Sequence, residues 1–227
     1  MNELQKMEQE RSVLRWGGLA GILGGILFIL VFVIVALFVG DPGGVERFPE
    51  IRSARTIENS LYLVCLILWV PHFLALNRAL RGTRLASALF GSVLGIVGLG
   101  VLAAGAFPHV ATVPLSDLYH GSGATPADQA ALILIWEATW GIFDALLFTG
   151  VAIVATGITA LGVAMLGTPA FGKGLGWLSV MIGVLGIAAA VAVLVDPSSQ
   201  LVAIGIFALI VFHIVLGLKV YRLSMAA

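Results

Sequence analysis

Six apolar runs dominate the chain: residues 17–39, 60–80, 85–107, 140–166, 175–195 and 201–218. Each approaches the roughly 20 residues that an α-helix needs to cross the hydrocarbon of a bilayer. In lipid the backbone must satisfy its own N–H and C=O groups, so runs of this length leave helices as the spanning form. The expectation is an all-α polytopic bundle of six transmembrane helices, a single membrane domain over residues 1–227. Composition agrees, with 60% of residues hydrophobic and 11% charged, against about 45–50% and 25% in soluble domains.

The first run is 23 residues long, whereas a signal-peptide core is about 7–15 residues and ends at a small-residue cleavage site. VALFVG offers a poor one, so the run reads as an uncleaved first span. Lys and Arg set the expected orientation. Lys6, Arg11, Arg15, Arg78, Arg81, Arg84, Lys173, Lys219 and Arg222 fall on one side, and Arg47, Arg52 and Arg55 on the other. By the positive-inside rule both termini are cytoplasmic. No Asn-x-Ser/Thr sequon occurs, which is compatible with a prokaryotic plasma membrane. The formal net charge is zero and the basic residues form no stripe, which argues against a nucleic-acid partner. Cys65 is the single cysteine; no intramolecular disulfide can form, and Cys65 reads as a small core residue.

Turns on the terminus side are short and those on the other side longer. Pro49 and Glu50 mark a helix start that runs on into the second span. Thr125, Pro126 and Asp128 give an N-cap, N1 and N3 signature, and Asp196 with Pro197 resembles it before the sixth span. A helix over 126–166 would be about 61 Å long and must protrude or bend near Thr139 and Gly141. The segments 40–59 and 108–139 are large enough to form a small external cap. Pro71 frees the carbonyl of Ile67, which predicts a kink in the second span.

The 140–166 run carries an acid, Asp144. Near a helix centre Asp costs about 2.5–3.5 kcal/mol, while the run's twelve Leu, Ile, Phe and Val residues return roughly 4–7 kcal/mol together. The span inserts, and the acid needs a partner, water or a task, so Asp144 is expected to face the bundle interior. Glu137, seven residues earlier, shares its helix face about 10.5 Å away along the axis. The two would make a carboxylate ladder for a cation or proton. His72 and His213 lie six residues before Arg78 and Lys219 respectively, which puts them at similar depth in the second and sixth spans. Facing imidazoles could bond across helices or ligate a haem iron. His109, Asp117 and His120 read as solvated loop residues, a weak metal-ligand set.

Small residues at helical spacing mark the odd spans: Gly17, Gly21 and Gly25; Ser87, Gly91 and Gly95; Gly176, Ser179, Gly183, Gly186 and Ala190. Such ladders let helices approach closely in lipid and could also serve a homo-oligomer or a membrane partner. ALNRALRGT before the third span aligns with ALGVAMLGT before the fifth, as a repeated two-span unit would. The basic start, GGLAGILGGILFIL and KGLGWLSVMIGVLG, together with six spans joined by small loops, resemble bacterial six-span membrane proteins of uncharacterised function. That resemblance covers most of the chain and implies no site residues.

GxxxxGK[ST], GxSxG and HExxH are absent, and no nucleophile stands beside a base, so enzyme activity and a bound cofactor are not expected. The leading functional expectation is handling of a small solute or ion through a polar interior centred on Asp144, with Glu137 at its mouth. The alternatives are a haem-binding redox subunit using His72 and His213, and a structural or accessory subunit.

Overall fold

The computed structural model describes residues 3–40, 43–196, 199 and 201–226, with the backbone alone at Lys6 and Val202. Among them the chain forms seven α-helices and no strand: α1 Glu3–Ile34, α2 Phe48–Leu80, α3 Leu85–Ala104, α4 Ala106–Tyr119, α5 Pro126–Leu166, α6 Gly172–Val195 and α7 Leu201–Ala226. A π-helical turn, Val35–Val39, ends α1. Six segments are long and apolar enough to span a membrane, α3 and α4 together counting as one. The protein is a multi-pass, all-α membrane bundle.

Local chemistry accounts for several boundaries. Thr125 and Asp128 form a reciprocal capping box at the start of α5, with Pro126 at the first helical position, so two otherwise orphaned donors are satisfied. α2 starts beside Pro49 and continues through Pro71 as one helix. α7 begins at Leu201; Pro197, and with it the helix start read at Asp196–Pro197, lies outside the described residues.

The spans close into a ring in chain order. α1 packs on α2 and α7, α3 on α2 and α5, and α6 on α5 and α7. Glycines set the closest approaches: a Cβ at Gly157 would stand 2.6 Å from Gly91 O and from Gly95 N, which joins α5 to α3 nearly backbone to backbone. In α1 the ladder has two faces. Gly21 receives the His72 ring from α2, while Gly18 abuts Gly217 and Tyr221 of α7. The turns of the two hairpins that align in sequence also meet, through the Thr83 and Thr168 hydroxyls at 2.6 Å.

The main core fills the ring with Leu66, Phe73, Leu76, Ile158, Leu161 and Phe212 among others. A second, smaller core sits at the end of the bundle away from the termini, where Val39, Val45, Phe48, Ile51 and Trp136 pack together. Arg52 of α2 bonds Asp117 of α4 there at 2.8 Å. The stretch read as an open loop is helical from Ala106 to Tyr119, so His109 and Asp117 are helix residues and His120 caps the helix.

Candidate functional site

Along α2 a stripe of residues spaced alternately four and three apart turns inward: Ile51, Arg55, Glu58, Tyr62, Cys65, Trp69, His72 and Leu76. The spacing is that of one helix face, and it carries polar groups among apolar ones. Arg55 Nη1 donates to Glu58 Oε2 at 3.1 Å, with the two side chains 12% and 11% exposed. The Arg55 guanidinium also lies 5.3 Å from the centre of the Trp140 ring, a cation–π arrangement. His109 of α4 meets Trp140 and Phe143 edge to face, at 4.9 and 4.7 Å. Tyr62 donates its hydroxyl to Leu102 O at 2.9 Å, and Thr112 donates to His109 O at 2.6 Å.

Beneath this cluster is a cavity of about 140 Å³ walled by Glu58, Tyr62 and His109 together with Phe28, Phe32, Phe143 and Leu147. A cavity of that size can hold a molecule of about benzene's bulk. On the far side of α2 and α4 a groove of about 320 Å³ is bordered by Arg55, Asn59, Ser60 and again His109. The ion pair therefore stands between two spaces, Glu58 facing one and Arg55 the other. Arg55 Nε and Asn59 Oδ1 are buried without hydrogen-bond partners, an arrangement that costs about 1–3 kcal/mol per group until something fills it.

Asp144 and Glu137 are on the opposite, exposed side of α5, with no hydrogen bond or ion pair to described residues. The expectation that Asp144 faces a polar interior is corrected. Register supplies the reason: Gly183 of α6 packs on Thr159 and Gly186 on Ala155. Continuing that antiparallel pairing by 1.5 Å per residue carries α6 to its end at Val195 before it reaches the level of Asp144. The same stripe is covered lower down, where Val151 and Ile158 are buried. Asp144 thus stands beyond the level at which α6 ends, on the exposed side of α5.

His72 and His213 do meet. Their ring centres are 5.1 Å apart at 61°, and both rings are fully buried. His213 stacks on Trp69 at 3.9 Å, and His72 Nδ1 lies 3.1 Å from Gly17 O, a contact that makes Nδ1 the protonated, donating nitrogen. His72 Nε2, both nitrogens of His213 and Trp69 Nε1 have no partner. Haem ligated by two imidazoles lies between them. Here the rings touch edge to face, with Trp69 covering a face of one, and no slot for a macrocycle separates them. No cluster of three or more His, Cys, Asp or Glu able to hold a metal occurs among the described residues. His120 is engaged by Ser116 O at 2.9 Å and Glu46 O at 3.2 Å, and Asp117 by Arg52; His109 stands apart from both in the cluster around Arg55.

The sequence reading missed Arg55, Glu58 and Asn59 because they precede the apolar run 60–80. The available signal was the stripe itself, which extends upstream from Tyr62 through Glu58 and Arg55 to Ile51 with unbroken spacing. No family model, curated protein or solved structure matches this chain.

Proposed function

We propose that this protein handles a small solute, which enters the ring from the end away from the termini and lodges beneath Glu58 and His109. The supporting observation is the cavity of about 140 Å³ set under a largely buried ion pair. Desolvating a carboxylate and a guanidinium costs several kcal/mol per ion before their attraction returns it, an expense that apolar packing would avoid. Below the cavity the same stripe continues with Trp69 and His72, beside which stands His213 of α7, and their unpaired nitrogens offer further polar stations. The interior is therefore polar along α2, with Glu58 in the role that the sequence reading gave to Asp144. We read the cavity end as external from the Lys and Arg distribution, and the absence of an Asn-x-Ser/Thr sequon is compatible with a prokaryotic plasma membrane.

Cysteine accessibility tests this reading. In a Cys65→Ala background, Leu147→Cys places a thiol in the cavity wall, and Leu161→Cys places one in the packed core. Small charged methanethiosulfonate reagents applied to reconstituted vesicles should modify Leu147→Cys and leave Leu161→Cys untouched. Equal inertness of the two positions overturns the proposal.

A further inference from the structure

We propose that the groove between α2 and the α3–α4 arm is a specific site for one phospholipid, with its phosphate on Arg55, its headgroup on Asn59 and one acyl chain running down the groove. The site opens outward, away from the interior cavity, and does not depend on the solute reading.

The space near Arg55, about 320 Å³, adjoins a second of about 350 Å³. The two share Leu63 and Val110. The upper part mixes Arg55, Thr56, Asn59, Ser60 and His109 with apolar residues such as Phe48 and Val113. The lower part is lined wholly by apolar or small residues, among them Gly100, Ala103, Ala104 and Phe107. Polar groups among apolar ones above and an apolar lining below follow the order a lipid presents from headgroup to chain.

The polar end also has a defined hydrogen-bonding demand. Thr56 and Ser60 hydroxyls are spent on their own helix, donating to Arg52 O and Thr56 O. Arg55 Nε and Asn59 Oδ1 are left over; one is a donor and the other an acceptor, and they stand four residues apart on one helix face. Glu58 occupies one Nη of the guanidinium, so its planar fork keeps Nε–H for a second anion. A phosphodiester accepts from Nε–H, and an ethanolamine ammonium or glycerol hydroxyl next to it donates to Asn59 Oδ1. A free phosphate would fill the upper part and leave the lower empty, and a diacylglycerol would do the reverse.

The test uses the full chain, purified and stripped of lipid in detergent, and titrated with phosphatidylethanolamine or phosphatidylglycerol under native mass spectrometry and thermal melting. One lipid should be retained per chain and the melting temperature should rise; diacylglycerol and inorganic phosphate, each filling only half of the groove, should bind at least tenfold more weakly and raise it less. Gly100→Leu puts a side chain into the groove where a Cβ meets nothing within 4 Å, so it folds normally and should weaken lipid binding at least tenfold. Arg55→Lys keeps the charge beside Glu58 without the Nε donor and should weaken it similarly. Unchanged affinity in Gly100→Leu, equal binding of diacylglycerol, or equal stabilisation by inorganic phosphate each overturns the proposal.

Discussion

Replacing Arg55, Glu58 or both by Met separates a pair that is held in place by the bundle from one that is merely adjacent. With each side chain about a tenth exposed, Arg55→Met strands a carboxylate whose neighbours are Phe28, Phe32 and Phe143. Breaking a buried pair from one side costs about 3–5 kcal/mol, and the residual exposure places this one at the lower end, about 3 kcal/mol. Glu58→Met should cost less, about 2 kcal/mol, because the guanidinium keeps Trp140, a contact worth about 0.5–2 kcal/mol. The double variant removes both charges and should lie within about 1 kcal/mol of the parent, since apolar replacement of a whole buried pair is often neutral. Reversible unfolding in mixed detergent micelles, measured for all four proteins, gives a coupling of several kcal/mol on this reasoning. A coupling below about 0.5 kcal/mol, the range of an exposed pair, would refute it: the pair would then be solvated and the wall between the two cavities open.

Asp144→Leu should unfold within about 1 kcal/mol of wild type or somewhat later, because the exposed carboxylate has no partner among the described residues to lose; a larger loss in the same assay would restore an interior role. Gly157→Ala should destabilise by about 1–3 kcal/mol, since its Cβ would press on the α3 backbone at 2.6 Å. Gly141→Ala, where a Cβ meets nothing, should be neutral or stabilising by up to about 1 kcal/mol; thermal melts that fail to separate these two glycines would contradict the packing of α3 on α5. His213→Phe keeps the stack on Trp69 and removes two unpaired nitrogens, so a rise of about 1–3 kcal/mol is expected. A fall would mean that bound water or another group satisfies them. In a Cys65→Ala background, Ser122→Cys should react with an impermeant reagent outside intact cells and Thr83→Cys should not; the reverse pattern inverts the orientation.

Hydropathy made the spans legible because in lipid it acts on every residue of a segment alike. Side-chain chemistry likewise revealed the capping box, where Thr125 and Asp128 satisfy each other within four residues. What composition could not supply was the direction in which each helix faces. Asp144 was placed inside because the run 140–166 reads as one span, yet the depth of a residue on a helix of 41 residues is fixed by the length of the partner beside it. α6 ends at Val195, and this is invisible from α5 alone. His109 and Asp117 read as loop residues, yet they lie on α4: Pro108 sits in its first turn, where a missing N–H costs little, and Pro114 is accommodated inside the helix.

The imidazoles show the other side of the same limit. Equal spacing from Arg78 and Lys219 gave His72 and His213 the same depth, and a ring closed in chain order brings α7 back beside α1 and α2, so depth became contact. Gly21 completes the geometry, since any larger residue there would strike the His72 ring. The glycine ladder of α1 is therefore not only a seam between helices: at Gly21 it makes the room in which a polar side chain sits at the centre of an apolar core. The inward stripe of α2 from Arg55 to His72 is in this sense one structural unit. Its charged end is largely shielded by α4 and Trp140, and its imidazole end is enclosed because α1 has almost no side chains where the ring must fit.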